Sequence, residues 1–519
     1  MTEKTDANLI FKKKMRKFAD VFFNLIMTTM NWKELQNGSD IRGVALEGIE
    51  GEHVNLTPEA AETIARSFVE WLRRTIGEKE KITVAVGTDC RLSGQSIKAA
   101  FTRGATMAGA DVVDCVLAST PAMFMTTVSH HVKATASVMV TASHLPFNRN
   151  GLKFFTPRGG LDKSDIAAIL DIAAHAGHNY GGAPGKTTQL DFMEIYSNHL
   201  AEYIRRGVNA ADFDRPLSGM HIIVDAGNGN GGFFEKILSS LGADTTGSQF
   251  LNPDGRFPNH IPNPENSEAM DSVCQAVRNS NADLGVIFDT DVDRSAIVDH
   301  RGDPINRNSL IALISAVILR EHPGSTVVTD SVTSDGLSAF IAANGGRHHR
   351  FRRGYKNVIN EGIRLNGDGE ECWLAIETSG HAALRENYFL DDGAYLAAKL
   401  IVEAAVLARQ GKQLQDLIST LRQPKESKEI RIRITEPDFK AYGEKVLAEM
   451  KKKMAAQPGW AIVEPNYEGV RVSCGGADED GWLLLRMSLH DPVMPLNIES
   501  NRDGGVAVIE GKLKKLGLL

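Results

Sequence analysis

Hydrophobic and polar positions alternate along the chain in an order that predicts strand, loop and helix three times. The first unit has a β-branched strand at 84–89, an amphipathic helical stretch at 95–107 and Gly109 before the next strand. The same order begins again at 222–227 and at 326–330. A glycine suits the left-handed end of a helix, and short strands alternating with helices are typical of βαβ units. The pattern therefore predicts three related α/β domains.

The last part of the chain has a different pattern. Strand-like runs at 430–434, 470–472 and 482–488 surround a Lys-rich helical stretch at 439–454, after a linker-like segment at 423–427. This order predicts a small α+β domain with an antiparallel sheet. The predicted fold class is α/β, with three tandem related α/β domains and a smaller C-terminal α+β domain. Their predicted boundaries are 31–208, 209–304, 305–424 and 425–519.

Composition narrows the class of protein. A chain of 519 residues suits several domains, and a formal net charge of −7 argues against a nucleic-acid-binding surface. The five cysteines are far apart in sequence and form no Cys-x-x-Cys, so neither a disulfide framework nor a zinc site is expected. The cysteine usage fits a reducing cytoplasm.

Residues 1–30 resemble a signal peptide at first sight. A basic run at 12–17 precedes an apolar stretch at 18–27, but Asp20 and Asn24 interrupt it. The stretch is also shorter than the ~20 apolar residues that a membrane span requires. We interpret these residues as an N-terminal extension, expect the folded part to start near Trp32, and expect no membrane partner.

A strand at 136–142 delivers Ser143 and His144 onto a loop, and Lys153 follows ten residues after Ser143. A hydroxyl, an imidazole and a cation are the groups that a covalent phosphoryl carrier needs.

Three aspartates, Asp289, Asp291 and Asp293, follow another apolar strand at alternate positions, where strand geometry would point them to one side. Carboxylates on one side suit Mg²⁺. A solvated acidic turn or a calcium loop is the alternative.

Two further loops carry polar groups. Glu377, Ser379 and His381 follow the strand at 373–376 and suit sugar hydroxyls, although Ser379 capping a helix is the alternative. The segment 352–356, which includes Lys356, suits a phosphate or forms a solvated basic face. Arginines in glycine-bounded loops at 40–43 and 87–93 are most simply ordinary turn residues.

Taken together, these loops resemble those of the α-D-phosphohexomutase superfamily, which includes phosphoglucomutases and phosphomannomutases. The resemblance rests on Thr141–Ala142–Ser143–His144 with Asn150–Gly151–Leu152–Lys153, on Asp289-x-Asp291-x-Asp293–Arg294, and on Glu377-x-Ser379–Gly380–His381. It extends over about residues 40–510. Supporting segments are Asp225-x-x-Asn228–Gly229 and the stretch 253–259.

The resemblance implies four domains around a central cleft and implies the role of each site residue. Ser143 would carry the phosphoryl group, and its phosphate would join the three aspartates in binding one Mg²⁺ per active site. Arg42, His144 and Lys153 would transfer protons or stabilise charge. Sugar phosphates are the expected partners, and the sequence leaves the oligomeric state open. The expected substrate contacts are Arg294, Lys356, Glu377, Ser379 and His381.

The last domain departs from the family pattern. Family members carry an Arg-x-Ser-x-Thr loop that binds the non-transferring phosphate. We assign that loop here to 496–505. Glu499 and Asp503 add negative charge to it, and its remaining hydrogen-bond donors are Ser500, Asn501 and Arg502. A weaker phosphate site would release a hexose bisphosphate. We therefore expect a glucose-1,6-bisphosphate synthase with some mutase activity, using a donor such as fructose 1,6-bisphosphate. A phosphoglucomutase or phosphomannomutase is the alternative.

Two other classes of protein remain open from the sequence. A serine hydrolase using Ser143 and His144 is disfavoured, because neighbouring side chains are expected to point apart and no Gly-x-Ser-x-Gly is present. A sugar-phosphate sensor without catalysis is compatible with the changed last loop. The choice between glucose, mannose and glucosamine is not encoded in any motif we identified.

Overall fold

Residues 30–77, 81–175, 183–488 and 491–519 are described by the structure, a computed structural model. They form two compact units, the first containing residues up to Ala118 and Thr126–Asp191, the second Ser119–Met125 and Phe192–Leu519. All but the last residue of the predicted N-terminal extension lies outside the described residues. Among the described helices, none combines the length and apolarity that crossing a membrane requires.

The first unit is built on an eight-stranded mixed sheet in the order β1-β2-β6-β5-β3-β4-β8, with β7 paired to β6. Its strands are β1 Gln36–Asn37, β2 Asp40–Val44, β3 Thr83–Thr88, β4 Asp111–Leu117, β5 Ala136–Val140, β6 Arg149–Thr156, β7 Gly159–Gly160 and β8 Thr187–Gln189. The parallel pairs β3/β4, β3/β5 and β4/β8 form one side, and β5/β6 and β2/β6 are antiparallel. Every residue of β5 is buried, as expected for a strand in the middle of a sheet.

Helices cover this sheet and close a hydrophobic core around Phe68, Phe101 and Phe154. The helices of the unit are Pro58–Ile76, Gly94–Met107 and Lys163–His175, and Thr120–Val128 connects it to the second unit. Thr57 caps the first of them, because its side chain accepts a hydrogen bond from Ala60 N, and Pro58 supplies the fixed φ of a first helical turn.

The second unit begins with two smaller mixed sheets. The first has the order β12-β11-β10-β9 and the second β14-β13-β15-β16-β17. In the first, β9 and β10 pair in parallel and β11 is antiparallel to β10; in the second, β13 pairs in parallel with β14 and β15, and β16 is antiparallel to β15. The strands are β9 Ile222–Asp225, β10 Leu284–Phe288, β11 Ser295–Asp299, β12 Pro304–Ile305, β13 Thr326–Thr329, β14 Arg347–Arg350, β15 Cys372–Ile376, β16 Ala382–Leu384 and β17 Leu390–Asp391.

The helices of these two sheets follow the predicted order. They are Phe192–Val208, Phe233–Ser240, Ser267–Ser280, Arg307–Glu321, Asp335–Ala343, Tyr355–Gly367 and Gly393–Ala408. The helix Phe192–Val208 belongs to the second unit, although the predicted boundary at 208 put it in the first domain. Tyr196 from this helix donates a buried hydrogen bond of 2.6 Å to Asp392, which explains the placement.

The C-terminal part is a five-stranded antiparallel sheet in the order β18-β22-β21-β20-β19. Its strands are β18 Glu426–Arg433, β19 Trp460–Ile462, β20 Val470–Cys474, β21 Gly481–Leu485 and β22 Val493–Ser500, and its helices are Phe439–Ala455 and Gly505–Lys515. The α/β class and the α+β character of this part agree with the sequence pattern. The linker is shorter than predicted, because Glu426 and Ser427 already pair with β22.

Candidate active site

Ser143 lies just after β5 in an unusual backbone conformation. Its φ is +51°, a region that non-glycine residues seldom occupy, and its side chain is almost fully buried. Its backbone N–H donates to Thr141 Oγ1 at 2.9 Å, and its Oγ lies 3.3 Å from His144 Nδ1. The expectation that these neighbouring side chains point apart is therefore wrong. Backbone strain of this kind is often found at functional sites.

Arg91 holds the serine loop in place. Its guanidinium donates to four backbone carbonyls, those of Ser143, Leu145, Pro146 and Arg149. Asp89 lies 3.3 Å from the Arg91 Nε and also accepts a hydrogen bond of 2.6 Å from Thr141. The sequence suggested ordinary turn chemistry here. The structure instead shows a buried cation that fixes the backbone on both sides of Ser143, which only the fold could reveal.

Arg42 and Lys153 lie on neighbouring strands of the same sheet. Arg42 is in β2 rather than in a loop, and its Nη2 lies 2.9 Å from Asp40. Lys153 is in β6 and is buried. Gly151 lets these strands approach each other, since a Cβ there would come within 2.4 Å of the Ile41 carbonyl oxygen. The first unit thus gathers Arg42, Ser143, His144 and Lys153 on one sheet.

The three aspartates converge in a turn between β10 and β11. Asp289, Asp291 and Asp293 are each at most 1% exposed, and ligand atoms from the three lie within 4.8 Å of one another. The strand alternation that we used to predict this convergence is not its cause. The segment is a turn, in which the β-branched Val292 adopts a φ of +68°. The buried position contradicts the alternative of a solvated acidic turn.

This carboxylate set fits Mg²⁺. Three buried carboxylates at such spacing repel one another unless a cation lies between them, and Mg²⁺ prefers oxygen ligands together with water and phosphate.

The contact of Thr120 with Asp291 was not predicted from the sequence. Its hydroxyl donates to Asp291 Oδ2, and its backbone N–H donates to the Asp291 carbonyl at 2.9 Å. A threonine at the start of a helix carries no sequence signal for this role.

Arg294 completes the aspartate loop. Its backbone N–H donates to Asp289 Oδ1 at 3.2 Å, and its Nη1 lies 3.7 Å from Glu265. Burial opposes the charge, but the carboxylates of Asp289, Asp293 and Glu265 hold the pKa of Arg294 above its usual value. The guanidinium therefore stays charged beside the aspartates.

The Glu377 loop follows β15 and contains no helix start, so the capping role considered for Ser379 is wrong. Glu377 Oε1 accepts a hydrogen bond of 2.6 Å from Gly354 N, and Ser379 Oγ lies 3.3 Å from Glu377 Oε2. Gly354 immediately precedes the helix on which Lys356 lies. This brings the Glu377 loop and the basic segment 352–356 together.

Glu377 has both acidic and basic neighbours. Burial and the neighbouring Asp330 raise the pKa of Glu377 to about 7, while His381 and Arg353 act in the opposite direction. Asp330 itself accepts hydrogen bonds from the N–H and the hydroxyl of Thr378 at 3.1 and 2.6 Å. A carboxyl group with a pKa near neutrality can either donate to or accept from a sugar hydroxyl.

The predicted phosphate contacts of the C-terminal domain lie at the end of β22 and in the turn after it. Ser500 is buried, and its Oγ donates to the Glu479 carbonyl and accepts from Arg502 N at 2.9 Å. Asn501 and Arg502 are exposed. Asn501 and Ser500 line a cavity of about 180 Å³ together with Ser334, Arg422 and Trp482. Ser500 therefore has a structural role in its turn.

Arg486 and Ser488 form an Arg-x-Ser sequence in the C-terminal part that was not considered from the sequence. Arg486 is buried, and its Nη1 lies 4.0 Å from Glu468. Glu468 accepts a hydrogen bond of 3.2 Å from Arg353 N. Burial, with Arg353 nearby, holds the pKa of Arg486 below its usual value, although Glu468 acts in the opposite direction. Arg486 thus lies near the basic segment 352–356. The Arg-x-Ser spacing does not single it out, because it also occurs at 91–93, 278–280 and 307–309.

Tandem mixed-sheet domains with a strained serine, a buried aspartate triplet and a Glu-x-Ser–Gly–His loop define a class of α/β phosphotransfer enzymes. Family profiles described as phosphoglucomutase/phosphomannomutase alpha/beta/alpha domains I, II and III match residues 33–179, 195–302 and 306–424. The chain therefore belongs to the phosphoglucomutase/phosphomannomutase family. This confirms the superfamily and the fold class that the motifs predicted.

Relatives match over nearly the full chain. A phosphoglucomutase from Neisseria gonorrhoeae is 28% identical over 484 residues, which cover 93% of this chain and 96% of the relative. A phosphoglucomutase/phosphomannomutase from Thermococcus kodakarensis is 30% identical over 486 residues, covering 91% and 98%. A crystal structure of a family protein from Burkholderia thailandensis is 25% identical with a TM-score of 0.76 and covers 94% of this chain and 97% of that one.

Proposed function

We propose that this protein interconverts hexose 1-phosphates and hexose 6-phosphates by a phosphoserine- and Mg²⁺-dependent phosphoryl transfer. The observation that carries the proposal is the buried aspartate triplet at 289, 291 and 293, whose ligand atoms lie within 4.8 Å of one another and fit Mg²⁺. The strained, clamped Ser143 supports it. The names of the relatives favour a mutase.

In this proposal each unit contributes its own chemistry. Ser143 carries the phosphoryl group, and Arg42, His144 and Lys153 move protons or stabilise charge near it. Asp289, Asp291 and Asp293 would hold one Mg²⁺. When bound, the ion neutralises negative charge on the transferring group. The protein mainly positions donor and acceptor, as is general for phosphoryl transfer.

Sugar hydroxyls are bound by Glu377 and Ser379. The hydrogen bond from Gly354 N to Glu377 fixes the carboxyl group, and the Ser379 hydroxyl lies beside it. Arg294, Lys356 and His381 are the other proposed substrate contacts. Lys356 and His381 lie in or next to the Glu377 loop, and Arg294 lies in the aspartate loop. This arrangement supports one sugar-phosphate site.

We propose that Arg486 and Ser488, rather than Ser500, Asn501 and Arg502, bind the non-transferring phosphate. Arg486 is buried, and the partly exposed Glu468 and Arg353 lie near it, next to the Glu377 loop. The hydroxyl of Ser500 is already used in its own turn. Arginine suits this task because its guanidinium binds phosphate through two parallel hydrogen bonds.

This reassignment removes the reason for expecting a glucose-1,6-bisphosphate synthase. That expectation depended on a phosphate site weakened by Glu499 and Asp503. With Arg486 and Ser488 in that role, a hexose bisphosphate can be retained while it reorients. We therefore propose the mutase as the main activity and the synthase as the competing outcome.

Phosphorus NMR separates these activities. Purified protein with Mg²⁺ is given glucose 1-phosphate, or mannose 1-phosphate, and a trace of glucose 1,6-bisphosphate. A mutase produces the 6-phosphate without accumulating bisphosphate. Stoichiometric glucose 1,6-bisphosphate from glucose 1-phosphate and fructose 1,6-bisphosphate would establish the synthase instead. Absence of turnover and of any phosphate on Ser143 by intact mass would indicate a sensor.

Matched variants test the assigned residues. Ser143→Ala should abolish turnover and phosphate incorporation, and removal of Mg²⁺ by EDTA should abolish turnover reversibly. Arg486→Ala should raise the KM for glucose 1-phosphate by roughly ten- to a hundredfold, as expected for a lost charge-assisted hydrogen bond. The exposed Arg502→Ala is the matched control and should leave the KM unchanged. The opposite result for these two arginines would restore the original assignment.

A further inference from the structure

The imidazole of His381 is held from both sides within the second unit. Its Nε2 lies 2.9 Å from Arg294 Nε, and its Nδ1 lies 2.6 Å from Asp391 Oδ2. All three side chains are buried, and the ring of Tyr355 stacks on the imidazole at a centroid distance of 5.0 Å. His381 thus links the Glu377 loop to the aspartate loop and to β17.

Hydrogen-bond chemistry assigns the tautomer of His381. Arginine has no acceptor, so Arg294 Nε–H must donate and the His381 Nε2 must carry a lone pair. Two carboxylates lie beside Nδ1, Asp391 Oδ2 at 2.6 Å and Asp293 Oδ1 at 3.9 Å. An ionised carboxylate only accepts, so the proton lies on Nδ1 and points to the nearer one, that of Asp391. Both ring nitrogens are therefore used inside the protein. A substrate contact through Nε2, as expected from the sequence, would have to compete with Arg294.

The segment that carries Asp391 also contacts the aspartate loop directly. Gly393 N donates to the Val292 carbonyl at 3.1 Å, and a Cβ at Gly393 would come within 2.5 Å of the Arg294 carbonyl carbon. On the other side, Gly380 packs so closely that a Cβ would lie 2.7 Å from the Ser295 carbonyl oxygen. The two loops are therefore packed together through backbone as well as side chains.

We propose that Asp391 is a positioning residue that fixes His381 as the Nδ1-protonated tautomer, and that His381 thereby orients the Arg294 guanidinium beside the aspartate loop. Without the carboxylate, the imidazole can place its proton on Nε2, where it would face the Arg294 N–H. Two donors facing each other repel, so Arg294 would move away from its position. The tautomer follows from the structure alone, whereas the kinetic consequence depends on the proposed function.

The tautomer is measured by long-range ¹H–¹⁵N correlation spectra of protein with ¹⁵N-labelled histidine, in which the His381 signals are assigned by their loss in His381→Gln. We expect a protonated Nδ1 and an unprotonated Nε2 in the wild type. Asp391→Asn should keep this pattern, because its amide oxygen can accept the same proton. Asp391→Ala should lose it.

Turnover of glucose 1-phosphate provides the second measurement. Asp391→Ala should raise the KM roughly tenfold or more with a smaller effect on kcat, since a partner that orients a functional histidine is typically worth about ten- to a hundredfold. Asp391→Asn should recover most of this loss. If the amide behaves like alanine, the negative charge of Asp391 matters rather than its acceptor, and the proposal fails.

Asp392→Asn is the matched control. Asp392 accepts hydrogen bonds from Tyr196 and Asn387, so the variant should lose stability without changing the tautomer. If Asp391→Ala does not fold, the wild-type and Asp391→Asn spectra still show which nitrogen of His381 carries the proton. An Nε2-protonated or doubly protonated His381 in the wild type overturns the proposal. Failure of turnover with the expected tautomer would instead count against the proposed function.

Discussion

Arg471 joins the C-terminal domain to the loop that follows β13, and its replacement by methionine should destabilise this junction. The guanidinium is almost fully buried and donates to the Ser331 and Thr333 carbonyls at 3.0 and 3.1 Å. It also lies 2.8 Å from Asp335 and 3.8 Å from the centre of the Trp482 ring. Methionine has similar length and removes all of these polar contacts.

The expected loss in the free energy of unfolding is about 3 kcal/mol. Two buried carbonyls lose a donor, at about 1–2 kcal/mol each, and the cation–π contact is worth about 1 kcal/mol. Asp335 keeps Arg350 as a partner at 2.9 Å, so it contributes little to the loss. Burial holds the pKa of Arg471 below its usual value, which shows that burying this charge is itself unfavourable. Methionine recovers part of that cost, so the loss should not exceed about 5 kcal/mol.

Urea denaturation followed by tryptophan fluorescence measures the change, because Trp482 lies against Arg471. With a slope of about 3 kcal/mol per molar urea, the midpoint should fall by about 1 M. Arg431→Met is the control, since Arg431 is 57% exposed and its ion pair with Asp491 is worth at most about 0.5–1 kcal/mol. Equal midpoints for the wild type and Arg471→Met would refute this reasoning.

Three further outcomes are expected. Burial raises the pKa of Glu499 to about 7. This carboxyl group therefore stabilises the folded state below its ordinary pKa of 4.5 and loses that contribution as the pH rises to about 7. Glu499→Gln should reduce the pH dependence of the urea midpoint over this interval. Arg91→Lys should lower both the thermal stability and the phosphate incorporation at Ser143 seen by intact mass, because one ammonium cannot reach four carbonyls. Burial opposes the charge of His260, but Asp225 raises the pKa of His260 above 6.5. This pair therefore stabilises the folded state below pH 6.5 and loses its effect as the pH rises through the raised pKa. His260→Gln should remove that pH dependence from the unfolding midpoint.

The domain organisation followed from local sequence because its determinants are local. Alternating β-branched strands and amphipathic helices, ended by glycines such as Gly109 and Gly345 at positive φ, specify each unit within about 30 residues. The same holds for the placement of Ser143 and of Asp289 directly after buried strands. Strand ends in such sheets are where functional loops occur.

The arrangement of the site was a tertiary matter. Arg91 reaches carbonyls more than 50 positions away in sequence, and the His381 ring meets Arg294 across 87 positions. No pattern within a window of residues specifies such pairs, because they depend on how separate elements pack. The same reason explains why the contacts of Thr120 with Asp291, of Arg486 with Glu468 and of Ser500 within its own turn were not predicted.

By itself, therefore, the sequence determined the α/β class and the family and indicated candidate site residues, since these depend on residue types and short-range periodicity. Only the tertiary structure decided which of these side chains are buried, which hydrogen bonds their nitrogen and oxygen atoms already make, and which arginine lies next to the sugar loop. The physical reason is that burial and hydrogen bonding depend on neighbours brought together by packing, and these determine the charge and orientation that each group presents to a ligand.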